Sequence, residues 1–157
     1  MSAVRIASLV IAILLAAPMY ASDCGLAHPF DVLEGWNEIA GWTLPDAGGH
    51  EYAASYACQG SNRKIVVLQL VERNASGVPS WRWVSDLNLK LQKGEDLIEG
   101  AECMRNGEDD ALLVPFGMIT KDGVVRILHA WRIELPSGKI RPVKTASVKC
   151  EASAEPD

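Results

Sequence analysis

Few side chains in this sequence have the types and spacing that carry catalysis. Of the three histidines, His129 lies in a strongly patterned segment, where strand alternation places it on the same face as Trp131. An imidazole at this position could act as a general base or as a metal ligand. The alternative is a core histidine whose ring makes one hydrogen bond. Gly-x-Ser-x-Gly, His-Glu-x-x-His and phosphate-cradling glycine loops are absent from the sequence. We therefore assign no catalytic residue, and the sequence favours a non-catalytic protein over an enzyme.

Acidic residues are numerous but are not arranged as ligands. The run Glu108-Asp109-Asp110 lacks the alternating oxygen donors of a calcium loop and falls in a segment with the composition of a turn. The cysteines contain no Cys-x-x-Cys pair that could present two thiolates to one ion. We expect neither a metal site nor a cofactor.

The four cysteines are Cys24, Cys58, Cys103 and Cys150. An even number of cysteines in an exported chain predicts disulfides rather than free thiols. Four cysteines allow three connectivities. We favour Cys24 with Cys58, which would attach the N-terminal segment to the strands, and Cys103 with Cys150.

The chain has five tryptophans but only two phenylalanines. Trp36 and Trp42 flank Gly41, and with His129 they are the candidate residues for contact with a ligand or partner, because tryptophan combines a large apolar area with a donor group. The alternative is that both lie in the core. We expect Trp83 and Trp131 to be core residues that pack against each other.

Residues 1–21 have the layout of a secretory signal peptide. Arg5 precedes an apolar stretch over residues 6–17, and the small residues Ala21 and Ser22 follow before the first acid, so we expect cleavage after Ala21. The apolar stretch is shorter than the ~20 residues of a spanning helix, so we predict no stable membrane span after cleavage. The protein is expected to be exported, to the periplasm or the medium.

Charge narrows the range of partners. Only Arg5 among the charged residues lies in the signal, which leaves 14 Lys plus Arg against 20 Asp plus Glu, a net charge of −6 for residues 22–157. Such a chain repels phosphate backbones, so we expect no nucleic-acid binding. The partner is an unidentified protein or small ligand, and the sequence does not indicate an oligomeric state.

The positions of the apolar residues predict strands. Residues 124–135 alternate, with His129, Trp131 and Ile133 on one face, and neighbouring strands are expected at 111–119 and 139–144. Further strands are predicted within 51–58, 64–72 and 81–91. Before them, residues 29–40 show helical spacing after Pro29, which predicts a short N-terminal helix.

These elements predict one mainly β domain over residues 22–157, an antiparallel barrel or sandwich of seven to eight short strands. It comprises a helical and loop segment at 22–49, strands at 51–103 and 104–150, and a disordered tail at 151–157. The halves 51–103 and 104–150 look like two copies of a three-strand unit, although any β-meander is self-similar.

Residues 56–66, with the sequence Tyr-Ala-Cys-Gln-Gly at their start, resemble the opening of small periplasmic lysozyme inhibitors, which are disulfide-closed β-barrels. The Ser-Gly-x-x-Tyr stretch that carries inhibition in that family is absent here. The interpretation we favour is an exported, non-catalytic binding module. Alternatives are an inhibitor of an exported hydrolase, a carrier of a small apolar ligand, or an enzyme centred on His129.

Export can be tested directly. When the gene is expressed with its natural leader in a secretion-competent host, we expect mass spectrometry of the exported protein to find Ser22 as the first residue. Replacing Ala21 with Arg should block this cleavage, because the processing site requires a small residue. Recovery of the exported chain with Met1 still attached would contradict the assignment.

Overall fold

The computed structural model describes Cys24 and residues 28–99 and 102–151. The predicted signal peptide and nearly all of the predicted tail lie outside the described residues. Within them the chain forms twelve antiparallel strands, six of seven or more residues and six shorter ones, with one 3-10 turn at Thr145–Ser147 and no α-helix. The mainly β, antiparallel prediction is confirmed.

The strands form three sheets. The first sheet has the order β1 (His28–Pro29), β2 (Asn37–Ala47), β3 (His50–Gln59), β4 (Asn62–Arg73), β5 (Pro79–Leu89). The second has the order β11 (Lys139–Pro142), β10 (Val125–Glu134), β9 (Leu113–Ile119), β6 (Asp96–Leu97). The third has the order β12 (Val148–Glu151), β7 (Glu102–Arg105), β8 (Glu108–Asp109). In the part of the chain that the structure describes, strand pairing does not close into a ring.

The predicted N-terminal helix is wrong. Residues 28–29 and 37–47 are strands, and the chain between them folds back through turns, with the Phe30 amide donating to the Trp36 carbonyl at 2.9 Å. Gly35 has φ of 78°, which a right-handed helix does not accommodate. The three-residue spacing of Phe30, Leu33 and Trp36 reflects a compact turn whose apolar side chains pack on the first sheet.

The first sheet is buried on both faces. Ile65 and Val67 of β4 pack into the main core between the first two sheets, whereas Val66 and Leu68 pack on the opposite face under the N-terminal segment. A strand covered on both sides needs a continuous apolar run, which explains the Ile-Val-Val-Leu sequence. A third cluster around Leu113 joins the second sheet to the third.

Two bulges change which side chains share a face. In β10 the register with β9 shifts between Ile127 and His129, so Ile127 packs with Ala130 rather than with Trp131. An extra residue in one strand inverts the alternation beyond it. The prediction that alternate residues of 124–135 share one face is therefore correct only for the residues after the bulge.

The second bulge lies in β5, where the register with β4 shifts at Val84. Val84 turns into the main core, and Trp83 is 54% exposed. The prediction that Trp83 is a core residue packed on Trp131 is wrong, since Trp131 packs on Phe116 and His129 instead.

The strand pairing of the predicted repeat halves differs. In the first half β3, β4 and β5 are neighbours in one sheet, whereas in the second half β7 pairs with β8 and β12, and β9 and β10 belong to another sheet. The pairing thus gives the proposed duplication no support.

Two disulfides join Cys24 to Cys58 and Cys103 to Cys150, the pairing that we favoured from sequence. The second disulfide links residues directly opposite each other on β7 and β12. Such bonds are consistent with an oxidising compartment. Among the described residues, no helix is long and apolar enough to cross a membrane.

We expect the paired substitutions Cys103→Ala and Cys150→Ala to lower the free energy of unfolding by about 2–4 kcal/mol, because a 47-residue separation in sequence is no longer constrained in the unfolded chain. Urea denaturation monitored by circular dichroism measures the change. Thiol titration of the unfolded, unreduced wild type is the control and should find no free thiol. A change below about 0.5 kcal/mol would contradict the structural role of this disulfide.

Candidate functional site

A cleft of about 790 Å³ lies between the first and second sheets, beside the third. Its walls come from β2 on one side, from β6 and the segment after it, and from β9 and the β8–β9 connection. The apolar part of its lining is Ile39, Trp42, Leu97, Ile98, Leu113 and Val114. We call this the seam cleft, because it lies along the border at which the first and second sheets are not joined by strand pairing.

One wall of the seam cleft is an open strand edge. β1 pairs only with Asn37 and Glu38 of β2, so the outer edge of β2 has no strand partner from Ile39 onward among the described residues. An edge with unpaired amide and carbonyl groups is a template for another extended chain. The bulge at Ile39 lies where this free edge begins.

The rim of the seam cleft is acidic. Glu99 and Asp109 are exposed there, and within residues 28–99 and 102–151 neither has an ion-pair partner. Asp110 also lines the cleft, but its charge is shared with Arg105 and Arg132. No lysine or arginine is found among the described lining residues. The cleft therefore favours cationic over anionic groups.

Asp110 attaches the third sheet to the second. One carboxylate oxygen, Oδ2, accepts hydrogen bonds from Nε of Arg105 at 2.8 Å and from Nε of Arg132 at 2.9 Å. Burial raises the pKa of Asp110, but the hydrogen bonds from Arg132, Arg105 and the Leu112 amide outweigh it, and the pKa lies below its ordinary value. Asp110 thus remains charged and holds one side of the cleft in place.

Tyr56 lies between the first sheet and β6. Its ring is buried, and its phenol is close enough to the Asp96 carboxylate at the start of β6 to be affected by its charge. Burial and then the Asp96 carboxylate raise the pKa of Tyr56 well above its ordinary value, although Arg63 acts in the opposite direction. The phenol remains a neutral donor, which fixes the strand that forms the second wall of the cleft.

The three predicted contact residues are not brought together. Trp42 lines the seam cleft, as a ligand-contacting residue should. Trp36 instead packs in the cluster under the N-terminal segment, with Nζ of Lys64 4.3 Å from its ring centroid. That contact is a cation–π interaction within the fold.

His129 lies on the second sheet, outside the lining of the seam cleft. Its Nδ1 is 2.5 Å from Oε1 of Glu95, whose side chain is fully buried, and its ring stacks on Trp131 with centroids 5.6 Å apart. A buried carboxylate that orients an imidazole is one component of a catalytic dyad. However, no hydroxyl or thiol is hydrogen-bonded to His129 in the described part of the chain.

Sequence reasoning missed the partner of His129 and the acidic rim. Glu95 follows Lys93 and Gly94 in a segment with loop composition, so no periodicity indicated that its carboxylate would be buried. The run at residues 108–110 was noticed but interpreted as a solvated turn, and only tertiary structure brings it to the same cleft as Glu99. Across residues 28–99 and 102–151, no group of three His, Cys, Asp or Glu side chains is placed to hold a metal ion.

Comparison of the chain with protein-family models, with curated proteins and with solved structures finds no significant match.

We expect Asp110→Asn to lower the free energy of unfolding by about 2 kcal/mol at pH 7, because it weakens two charge-assisted hydrogen bonds. The folded-state pKa of Asp110 is depressed, so its contribution is complete above the unfolded pKa of about 3.9 and is lost as the pH falls through the lower folded value. Urea denaturation at several pH values should therefore show the difference from wild type shrinking below about pH 4. Asp109→Asn, at an exposed and unpaired carboxylate, is the matched control and should change stability by less than about 0.5 kcal/mol.

Proposed function

We propose that this protein is an exported binding module that holds an extended, basic segment of a partner protein in the seam cleft. The observation that carries the proposal is that the edge of β2 from Ile39 onward, which has no strand partner among the described residues, borders an apolar cleft whose unpaired charges are acidic. Each feature favours the same kind of occupant.

The free edge favours an extended backbone. A segment laid along β2 can exchange backbone hydrogen bonds with residues from Ile39 onward, and alternate side chains then point toward Trp42 and Val114. Main-chain bonding supplies affinity in this mode, and the apolar pockets supply selectivity. A rounded apolar molecule would leave the edge groups of β2 without partners.

The charges favour a basic occupant. Glu99 and Asp109 lie at the rim, where a charge accelerates association and selects among partners more than it adds affinity. The net charge of −6 over residues 22–157 acts in the same direction at long range. An acidic segment would meet repulsion both on approach and in the cleft.

The proposal also favours a barrel over a sandwich. On the side away from the seam cleft, Ser85 on β5 donates a hydrogen bond to the Gly138 carbonyl just before β11, at 2.5 Å. The first and second sheets therefore adjoin there without regular pairing. A bound strand beside β2 would extend the first sheet into the seam cleft, toward the second sheet. The two sheets would then be nearer to a closed barrel.

The other functions differ in how well the interior supports them. A carrier of a small apolar ligand needs enclosed space, but the centre of the core is filled by Tyr56, Phe116 and Ile133. The alternative function of a hydrolase inhibitor is a special case of this proposal, in which the bound partner is an exported enzyme. It would use the seam cleft rather than residues 56–66, because Tyr56, Cys58 and Ile65 in that segment are buried.

The test uses residues 22–157 with both disulfides intact. The probes are two pools of synthetic peptides of about six residues, in which apolar residues alternate with Arg and Lys in one pool and with Asp and Glu in the other. We expect only the basic pool to bind, with a fluorescence change from Trp42 and weaker binding as salt rises from about 0.05 M to about 0.5 M. Isothermal titration calorimetry measures the affinity.

The variant Glu99→Gln with Asp109→Asn should weaken binding about tenfold, since each rim charge contributes up to about 1 kcal/mol. Trp42→Ala should weaken it further. Trp83→Ala is the matched control, because Trp83 is exposed and does not line the cleft. Equal binding of the two pools, or equal losses in the Trp42 and Trp83 variants, would show that the proposal is wrong.

A further inference from the structure

A second cleft, of about 620 Å³, lies on the opposite face of the first sheet. Its floor is formed by small residues of β2 and β3, among them Thr43, Ala53 and Ser55, and Phe30 and Trp81 stand on either side. We call it the outer cleft. The acidic residues of the seam-cleft rim do not line it.

The outer cleft contains a carboxylate held in a defined position. Ser55, only 2% exposed, donates a hydrogen bond from Oγ to Oε1 of Glu38 at 2.5 Å. A hydrogen bond to a carboxylate is charge-assisted and stronger than a bond between neutral groups. The side chain of Glu38 extends along β2 toward Gly41, which places its carboxylate beside the floor of the cleft.

Gly41 makes this arrangement sterically feasible. A Cβ at position 41 would lie 2.6 Å from Oε1 of Glu38, which is closer than real contacts allow. The φ of Gly41 is not positive, so the backbone itself does not require glycine there. The absence of a side chain at this position instead leaves room for the Glu38 carboxylate.

Other polar groups of the site are not bonded to protein groups in the described part of the chain. Within the described residues, Oε2 of Glu38 has no hydrogen-bond partner, and neither do the hydroxyls of Thr43 and Ser80. A carboxylate oxygen accepts, and a hydroxyl both accepts and donates. These groups match a ligand that carries several hydroxyls rather than one that is uniformly apolar.

Trp81 supplies an apolar surface beside the polar groups of the outer cleft. It is partly exposed, forms a wall of the outer cleft and packs in the cluster around Val66. Its indole offers a flat apolar surface to the C–H face of a saturated ring, with a ring N–H for hydrogen bonding. The lining contains Asp31 and Glu38 but no lysine or arginine in the described part of the chain, so anionic ligands are disfavoured.

We infer that the outer cleft binds an uncharged saccharide unit. A sugar hydroxyl donates to Oε2 of Glu38, Thr43 and Ser80 bond neighbouring hydroxyls, and the ring packs on Trp81. This inference does not depend on the peptide-binding proposal, because Glu38 and Trp81 do not line the seam cleft. Gly41 and Trp42 line both clefts, so the two sites are distinguished by Glu38 and Trp81 on one side and by Glu99 and Asp109 on the other.

The test titrates residues 22–157, disulfides intact, with an array of neutral oligosaccharides and a matched set in which uronic acids replace neutral sugars. We expect binding from the neutral set with a change in tryptophan fluorescence. Glu38→Gln should weaken the binding about tenfold, equivalent to about 1.4 kcal/mol, and Trp81→Ala should abolish it. Trp83→Ala is the control for loss of an exposed tryptophan and should bind like wild type.

Gly41→Ala should reproduce the loss seen in Glu38→Gln, because the added methyl displaces the carboxylate. Circular dichroism must show these variants folded, and Ser80→Ala, at an exposed position, provides a milder change of the same site if Gly41→Ala does not fold. The inference is overturned if no neutral oligosaccharide binds the wild type. It is equally overturned if the Glu38 and Trp81 variants bind as tightly as wild type, or if the uronic acid set binds as well as the neutral set.

Discussion

The contact between Tyr56 and Phe116 is the one on which the rest of the structure depends. Both rings are buried and meet edge to face with centroids 5.1 Å apart, which joins β3 of the first sheet to β9 of the second. Phe116 in turn meets Trp131 on β10 at 5.5 Å. Edge-to-face packing adds directional preference to apolar burial, so this row fixes how the sheets face each other. Because the sheets are held at the centre, the gap at their border becomes a cleft of defined shape.

Both clefts arise where regular pairing is interrupted. In the part of the chain that the structure describes, β1 is only two residues long, and the edge of β2 beside the seam cleft has no strand partner from Ile39 onward. In the outer cleft, glycine at position 41 leaves the space that the Glu38 carboxylate occupies. The two clefts therefore share β2, and Gly41 and Trp42 line both of them.

The polar interactions serve mainly to hold these surfaces. Asp110 links the second and third sheets through two arginines, and Glu95 holds His129 against Trp131. Each buried carboxylate has partners that compensate for the loss of water. Glu99 and Asp109 have no ion-pair partner among the described residues and lie at the seam-cleft rim. Their charges, unlike that of Asp110, are not offset by an arginine.

Sequence alone determined the class of the fold and most of the longer strands. It left three disulfide connectivities open, and the structure contains the one that we favour. Alternation and turn composition are local properties, and they correctly indicated β4, β9, β10 and β11. Local pattern failed at residues 29–40, because apolar residues three apart occur in a compact turn as well as in a helix. It also failed at Trp83. The bulged residue Val84 places the side chains before it and after it on opposite faces from those that simple alternation predicts, and composition does not reveal such a bulge. Only the tertiary structure decided which residues form the clefts, because strand pairing and sheet packing bring together residues that are distant in sequence. Trp42 and Val114 line one cleft in this way, and Glu38 meets Ser55 beside Gly41 in the other. Those contacts depend on register and on how the sheets stack, which no periodicity in the chain encodes.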